Sequence, residues 1–140
     1  MILLKSTQDC LLDNLVKENN PLETCAILLG NRIENKFIVE EIIPVENTES
    51  STIRFNIQEE KLLEIYDYSE RTNRAVIGIF HSHPSEAYPS KTDIQFMEIN
   101  PVPWIIKSTI TNQKRCFTLN ESTNSNKSKV VEIGISITKG

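Results

Sequence analysis

Apolar residues at helical spacing form the first regular pattern of the chain, over residues 6–19. The apolar face of this predicted helix comprises Leu11, Leu12, Leu15 and Val16. Ser6 is the expected N-cap, with Asp9 three residues later as its capping-box partner. Asn20-Pro21 should end the helix, because a residue before proline disfavours helical backbone angles.

Two further helices follow from similar signals. Asn56 and Glu59 form a capping pair that opens a helix ending near Arg71. Its apolar side comprises Leu62, Leu63 and Tyr66. A third helix should begin at Ser90 and end at about Ile99, since two prolines follow it closely.

Apolar runs of strand length fill much of the remaining chain and are separated by turn-forming residues. The predicted strands are 23–29, 37–45, 53–57, 75–80, 104–111, 115–119 and 130–138. Gly30-Asn31 is the turn expected to fold the first two into a hairpin. The run 75–80 lacks polar alternation, which favours a central strand buried on both faces. The polar segments 47–52 and 120–128 are interpreted as a turn and a linker.

The order of these elements indicates one α/β domain over residues 1–140, with a mixed central β-sheet flanked by helices.

The net charge of −4, with 24% charged residues, gives no sign of a polyanion partner. The longest apolar run is too short to span a bilayer, and residues 1–5 carry no basic leader. Cys10, Cys25 and Cys116 have no C-x-x-C spacing and are expected to be reduced core thiols. We therefore expect a soluble cytoplasmic protein without a nucleic-acid or membrane partner.

Both histidines of the chain, His81 and His83, lie two residues apart where the predicted central strand runs out into a loop. Because side chains along a strand alternate with a period of two, both imidazoles point to the same face. A pair of surface histidines would show the same spacing, so this pattern alone leaves a structural role open. With Asp93 the pair supplies two imidazoles and one carboxylate, a ligand set of hydrolytic zinc sites that leaves one position for water.

Three other residues have both a structural and a functional interpretation. The spacing of Ser90 and Asp93 is that of a capping box, in which Asp93 replaces the usual glutamate. The two roles are compatible, because an aspartate in the first helical turn is held rigidly and could also face a metal. Glu23 precedes an apolar strand. Such an acid is usually solvated, but an interior strand could place it at the border of a cleft.

These segments together resemble the JAMM (MPN-plus) metalloprotease family, whose signature is an upstream glutamate, then His-x-His-Pro, then Ser-x-x-Asp. Residues 21–30 resemble the family's glutamate-bearing strand, and residues 78–84 its metal-binding strand. Residues 88–93 resemble its helix-capping ligand turn. Six residues separate His83 from Ser90, one fewer than in the family pattern. The missing residue falls in a loop, where deletions are tolerated.

The resemblance implies the cytidine-deaminase-like fold of the family and one zinc ion held by His81, His83 and Asp93. It implies that Glu23 is the general base and that Ser90 donates a hydrogen bond to the developing oxyanion. The reaction would be hydrolysis of an amide or isopeptide bond at the C-terminal tail of ubiquitin or a ubiquitin-like modifier. The small domain resembles stand-alone archaeal and bacterial members, which suggests small archaeal modifiers or sulfur-carrier proteins as substrates.

The polar stretch 47–53 is the candidate edge to which an extended modifier tail would add as a strand. Two other functions are kept as alternatives. A catalytically silent member of the fold would be a scaffold, although such members typically lack a metal residue and this chain has them all. The other alternative is a zinc hydrolase of a small-molecule amide. Residue 85 is serine and the chain has no third histidine, which argues against the His-x-His-x-Asp-His site of metallo-β-lactamases. The Pro-Cys-x-x-Cys motif of zinc deaminases is also absent, which argues against that class of enzyme.

Overall fold

A computed structural model of the chain describes residues 1–46, 59–121 and 128–140. Its elements are β1 (Ile2–Lys5), α1 (Ser6–Asn19), β2 (Cys25–Ile33), β3 (Lys36–Val45), α2 (Glu59–Arg71), β4 (Ala75–His83), α3 (Lys91–Ile99), β5 (Trp104–Ser108), β6 (Lys114–Glu121), β7 (Ser128–Ile133) and β8 (Ile135–Thr138). Several predictions lie outside the described residues: the strand 53–57, the helix-capping residue Asn56, the candidate edge 47–53 and most of the linker 120–128.

The described strands form one mixed sheet in the order β7-β6-β5-β4-β2-β3-β1-β8. β4 lies in its middle, antiparallel to β2 and parallel to β5. The outermost strands, β7 and β8, are separated in the chain only by Gly134, whose carbonyl accepts the Ile2 N–H at 2.9 Å. The last segment of the chain therefore links the two ends of the sheet, and the sheet curves back on itself.

Helices cover both faces of the sheet. On one face α1 packs Leu12 against the strands, and on the other α2 packs Ile65 and α3 packs Met97. His81 is the partner of Ile106 in the β4–β5 register. Because residues opposite each other in neighbouring strands share a face, His81 lies on the face covered by α2 and α3. The mixed central sheet flanked by helices is confirmed, as is the position of β4 at its centre.

The hairpin of β2 and β3 is confirmed, but its predicted turn at Gly30-Asn31 is wrong. β2 continues to Ile33, and the chain turns at Glu34-Asn35, where Glu34 has a φ of 56°. A β-bulge at Gly30 brings the β3 backbone so close that a Cβ on this residue would collide with the carbonyl oxygen of Ile38. The glycine therefore permits a close backbone approach inside a strand rather than a turn.

The extent of α1 is as predicted, but its capping is different. Lys5 occupies the N-cap, and its backbone N–H donates to Gln8 Oε1 at 2.9 Å. Ser6 is the first helical residue, and its hydroxyl donates to the carbonyl of Gly140 at 3.2 Å. The prediction of Ser6 as the cap is therefore wrong, because a long-range partner competes for its hydroxyl.

The predicted apolar faces of α1 and α2 are correct only in part. Leu11 of α1 is exposed, and so are Leu63 and Tyr66 of α2. On α2 the buried residues are Ile65 and Ser69 instead. The sheet thus contacts a side of α2 rotated from the one that the most apolar residues suggested.

Strand boundaries deviate where tertiary pairing decides them. β5 ends at Ser108, whose hydroxyl accepts the N–H groups of Ile110 and Thr111 in the following turn, so the predicted strand 104–111 is too long. The predicted strand 130–138 is divided at Gly134 into β7 and β8, which pair with different neighbours. β1 was not predicted, because four residues are too few for a clear pattern.

The three cysteines are free. Cys25 and Cys116 are buried as predicted, whereas Cys10 is exposed, so the prediction of a core thiol is wrong for Cys10. Burial raises the pKa of the Cys116 thiol to about 12. None of the helices in the described ranges is long and apolar enough to cross a membrane.

Candidate active site

Glu23 and His81 meet where β2 begins and β4 ends. The two strands are antiparallel with Cys25 opposite His81, so the residues that precede β2 lie beside the end of β4. Glu23 Oε1 is 2.8 Å from His81 Nε2, and Glu23 and His81 are only 4% and 3% exposed. Glu23 is therefore a buried acid at the border of a site and not a solvated surface residue.

The N-terminus of α3 brings Ser90 and Asp93 to the same place. Ser90 Oγ accepts the Asp93 N–H at 3.0 Å and Asp93 Oδ2 accepts the Ser90 N–H at 2.9 Å, which forms the predicted capping box. The same carboxylate faces both histidines, with Oδ1 3.3 Å from Nδ1 of His81 and Oδ2 3.7 Å from Nε2 of His83. The capping box thus fixes the carboxylate in the orientation in which it faces both rings.

The loop after β4 holds His83 through both ring nitrogens. Ser85 Oγ lies 2.8 Å from Nδ1, and the carbonyl oxygen of Tyr88 lies 3.2 Å from Nε2. The Thr109 N–H donates to the His83 carbonyl at 3.1 Å and ties the end of β4 to the turn after β5. The two imidazole rings meet edge to face, with centroids 5.3 Å apart. The loop that is one residue shorter than the family pattern therefore still places His83 beside His81.

The electrostatics of the site favour a positive charge. Burial by itself would lower the pKa of His81, but hydrogen bonds with Asp93 and then Glu23 outweigh burial and raise it. Burial likewise would raise the pKa of Asp93, but the hydrogen bond with His81 outweighs it and lowers that pKa. Burial, followed by the negative charges of Asp93 and Glu23, raises the pKa of the nearby Cys25 thiol. Cys25 is therefore a neutral thiol and not a nucleophile.

The chemistry of these donors fits a divalent cation. Two carboxylates removed from water need a compensating positive charge, which either an imidazolium or a metal ion can supply. Imidazole and carboxylate bind zinc at about 2.0–2.2 Å, which separates neighbouring ligand atoms of a tetrahedron by roughly 3.3 Å. The distance between His81 Nδ1 and Asp93 Oδ1 is 3.3 Å. Nevertheless, within residues 1–46, 59–121 and 128–140 no three His, Cys, Asp or Glu side chains are already arranged as a metal-binding cluster.

The structure also shows two serines whose contacts could not be expected from the motif. Ser82 Oγ accepts the N–H of Thr24 at 2.9 Å, and Ser85 contacts His83 as described above. Ser82 is the unspecified residue of His-x-His, and Ser85 lies in a loop whose path no local pattern determines. The only sequence signal for either was its position within two residues of a histidine.

Comparisons with known proteins show which proteins this chain is similar to. Residues 11–120 match the family of prokaryotic homologues of the JAB domain. A desampylase from Pyrococcus furiosus is 33% identical over 92 residues, which are 65% of this chain and 63% of that protein. A CysO-cysteine peptidase from Mycobacterium tuberculosis is 28% identical over 94 residues, 66% of this chain and 63% of that protein. The chain thus spans a little under two thirds of the length of these curated relatives.

The fold recurs in a solved structure. The solution structure of a protein from Desulfitobacterium hafniense superimposes with a TM-score of 0.83 at 23% identity, covering 100% of this chain and 94% of that one. The segment matched by the family includes Glu23, both histidines and the start of α3, that is, every residue of the site described above. The chain therefore belongs to the prokaryotic homologues of the JAB domain, within the JAMM (MPN-plus) family that its motif predicted.

Proposed function

We propose that this chain is a zinc-dependent peptidase that hydrolyses the amide or isopeptide bond at the C-terminal tail of a ubiquitin-like protein. The observation that carries the proposal is the buried convergence of two carboxylates and two imidazoles in a chain of this family. A desampylase and a CysO-cysteine peptidase among the relatives support a hydrolase that acts on such tails. In this proposal His81, His83 and Asp93 hold the zinc ion.

When bound, zinc would supply Lewis acidity, which makes water acidic enough to attack at neutral pH and polarises the scissile carbonyl. Glu23, buried beside His81, would accept a proton from the attacking water and deliver it to the departing amine. The hydroxyl oxygen of Ser90 accepts the Asp93 N–H, so its own proton stays available for the substrate carbonyl oxygen as negative charge develops there. Ser90 is exposed, which leaves this donor within reach of a substrate.

The test uses a ubiquitin-like modifier joined through its C-terminal glycine to a lysine side chain or to an amino acid. The zinc-loaded chain should release free modifier, detected by mass spectrometry, and a chelator should abolish the release until zinc is restored. Release that continues at full rate after complete removal of metal would contradict the zinc requirement. No release from any conjugate, together with hydrolysis of small amides, would favour the small-molecule alternative.

Glu23→Gln provides the matching variant. It should retain stoichiometric zinc and lose about 10²–10⁴-fold in turnover, the usual contribution of a positioned general base. Glu18→Gln, which changes an exposed acid of α1, is the control and should have the turnover of the natural protein. Unchanged turnover in Glu23→Gln would remove Glu23 from the proton-transfer role.

A further inference from the structure

Ser82 joins the strand of the histidines to the segment that carries Glu23. It is the partner of Lys107 in the β4–β5 register, and Lys107 donates to Asp13 of α1 at 2.6 Å, so Ser82 lies on the face opposite the two histidines. It is 0% exposed. Its hydroxyl accepts the Thr24 N–H at 2.9 Å, and its own N–H donates to the Thr24 carbonyl at 3.0 Å. Ser82 therefore forms hydrogen bonds with both the N–H and the carbonyl of Thr24, the neighbour of Glu23.

The strand register shows what the hydroxyl replaces. Cys25 is opposite His81, so a continued antiparallel ladder would place Thr24 opposite Ser82. Opposite residues of a hydrogen-bonded antiparallel pair exchange two backbone N–H···O bonds. Here one of these two bonds goes to the side chain of Ser82 instead of its carbonyl. The chain consequently leaves the ladder at Thr24, one residue after Glu23.

This departure affects where the Glu23 carboxylate lies. In a continued ladder Glu23 would be opposite His83, but its Oε1 lies 2.8 Å from Nε2 of His81, two residues away along β4. Without the hydroxyl, the buried Thr24 N–H would have to find another acceptor, because a buried donor without a partner is unfavourable. The simplest new acceptor is the ladder itself, and pairing with it would shift the backbone next to Glu23.

We propose that Ser82 is a positioning residue, which sets the placement of Glu23 relative to His81 through Thr24. Its catalytic consequence rests on the function proposed above. Ser82 itself touches neither substrate nor the reacting atoms. Its loss should therefore slow the chemical step without weakening the binding of substrate or zinc.

The first test needs no activity. Crystal structures of Ser82→Ala and Ser82→Thr are compared with that of the natural sequence, and amide hydrogen exchange of Thr24 is measured by NMR. In Ser82→Ala the distance from Glu23 Oε1 to His81 Nε2 should increase by about 1 Å or more, and Thr24 should exchange about tenfold faster or more. Ser82→Thr retains the acceptor and should preserve both values. An unchanged Glu23–His81 distance in Ser82→Ala would overturn the proposal.

The second test is kinetic, with the zinc-loaded protein and a modifier conjugate. Ser82→Ala should lower kcat about 10–100-fold, because small displacements of catalytic groups cost rates of this order, with KM within about twofold. Zinc content should be unchanged, and Ser82→Thr should restore kcat. A kcat that Ser82→Ala leaves unchanged, or a loss that follows zinc content, would overturn the proposal.

The control is Ser69→Ala, which removes another buried serine hydroxyl, one that donates to the Tyr66 carbonyl at 2.7 Å in α2. Ser69→Ala should lower the stability of the protein and leave kcat unaltered. An equal fall of kcat in Ser69→Ala and Ser82→Ala would show that Ser82 has only a general structural role. Should Ser82→Ala not fold, Ser82→Cys, a weaker acceptor of similar size, gives the same comparison. If the natural sequence releases no modifier, the proposed function fails, and the structural test still decides the role of Ser82.

Discussion

Replacing Ser90 by alanine or by glycine removes the same hydroxyl but should affect stability differently. Ser90 Oγ accepts the Asp93 N–H at 3.0 Å at the start of α3, and the reciprocal bond from the Ser90 N–H to Asp93 Oδ2 survives in both variants. An alanine at an N-cap costs about 1 kcal/mol of unfolding free energy, whereas glycine costs only about a few tenths. For a domain of this size, about 1 kcal/mol corresponds to roughly 3–5 °C in Tm. Ser90→Ala should therefore melt about 2–3 °C below Ser90→Gly.

Turnover should not follow this difference. If the Ser90 hydroxyl donates to the developing oxyanion, both variants should lose on the order of 10²–10³-fold in kcat. The assay combines calorimetric Tm with modifier release at saturating conjugate, and Ser90→Thr, which keeps the hydroxyl, is the control. Retention of normal turnover by Ser90→Gly would show that Ser90 is only a helix cap. A kcat that falls in proportion to Tm across the variants would attribute the loss to fraying of α3.

Two further predictions concern residues around the site and beneath it. Ser85→Ala should weaken zinc affinity about 10–100-fold, because Ser85 Oγ lies 2.8 Å from His83 Nδ1 and orients the ring. Competition with a chromophoric chelator measures the zinc affinity. An unchanged affinity would exclude a role of Ser85 in orienting His83. Burial opposes ionisation of Asp13, but hydrogen bonds from Lys107 and Lys114 outweigh burial and hold its pKa below the ordinary 3.8. The ionised carboxylate therefore stabilises the folded state at pH values above 3.8. This stabilisation is lost as the pH falls through the lower pKa of the folded state. Because Asp13 is partly exposed and solvent screens its ion pairs, Asp13→Asn should be less stable than the natural sequence by about 1 kcal/mol or less near neutral pH. The difference should close under acid, and a gap in urea-unfolding stability that stayed constant across pH would refute this.

Local patterns were sufficient for the elements whose residues decide their own conformation. The unbroken apolar run of β4 indicated a central strand, and the spacing of Ser90 and Asp93 indicated the start of α3; both are present. Features that depend on distant pairing could not be predicted in this way. At the bulge at Gly30 the backbone of Ile38 in the neighbouring strand leaves no room for a Cβ. Gly134 divides one apolar run whose two halves reach opposite edges of the sheet.

The same division holds within the site. The motif predicted that Glu23, the two histidines and Asp93 belong together, and the structure brings their side chains within hydrogen-bonding or ion-pair distance. The sequence also showed that the helix cap and the site were compatible roles for Asp93, and in the structure one carboxylate contacts the Ser90 N–H and faces both histidines. The motif could not predict the support from Ser82 and Ser85, since a serine hydroxyl has no periodicity that reveals its partner.

The most direct test of the metal-dependent site is anomalous diffraction at the zinc edge from crystals of zinc-loaded protein. The expected result is one peak within about 2.0–2.2 Å of donor atoms on His81, His83 and Asp93, with the carboxylate of Glu23 beside it but not coordinating. A protein that contains zinc but shows its peak elsewhere, or a peak bound by only one of these three side chains, would contradict the proposed peptidase mechanism.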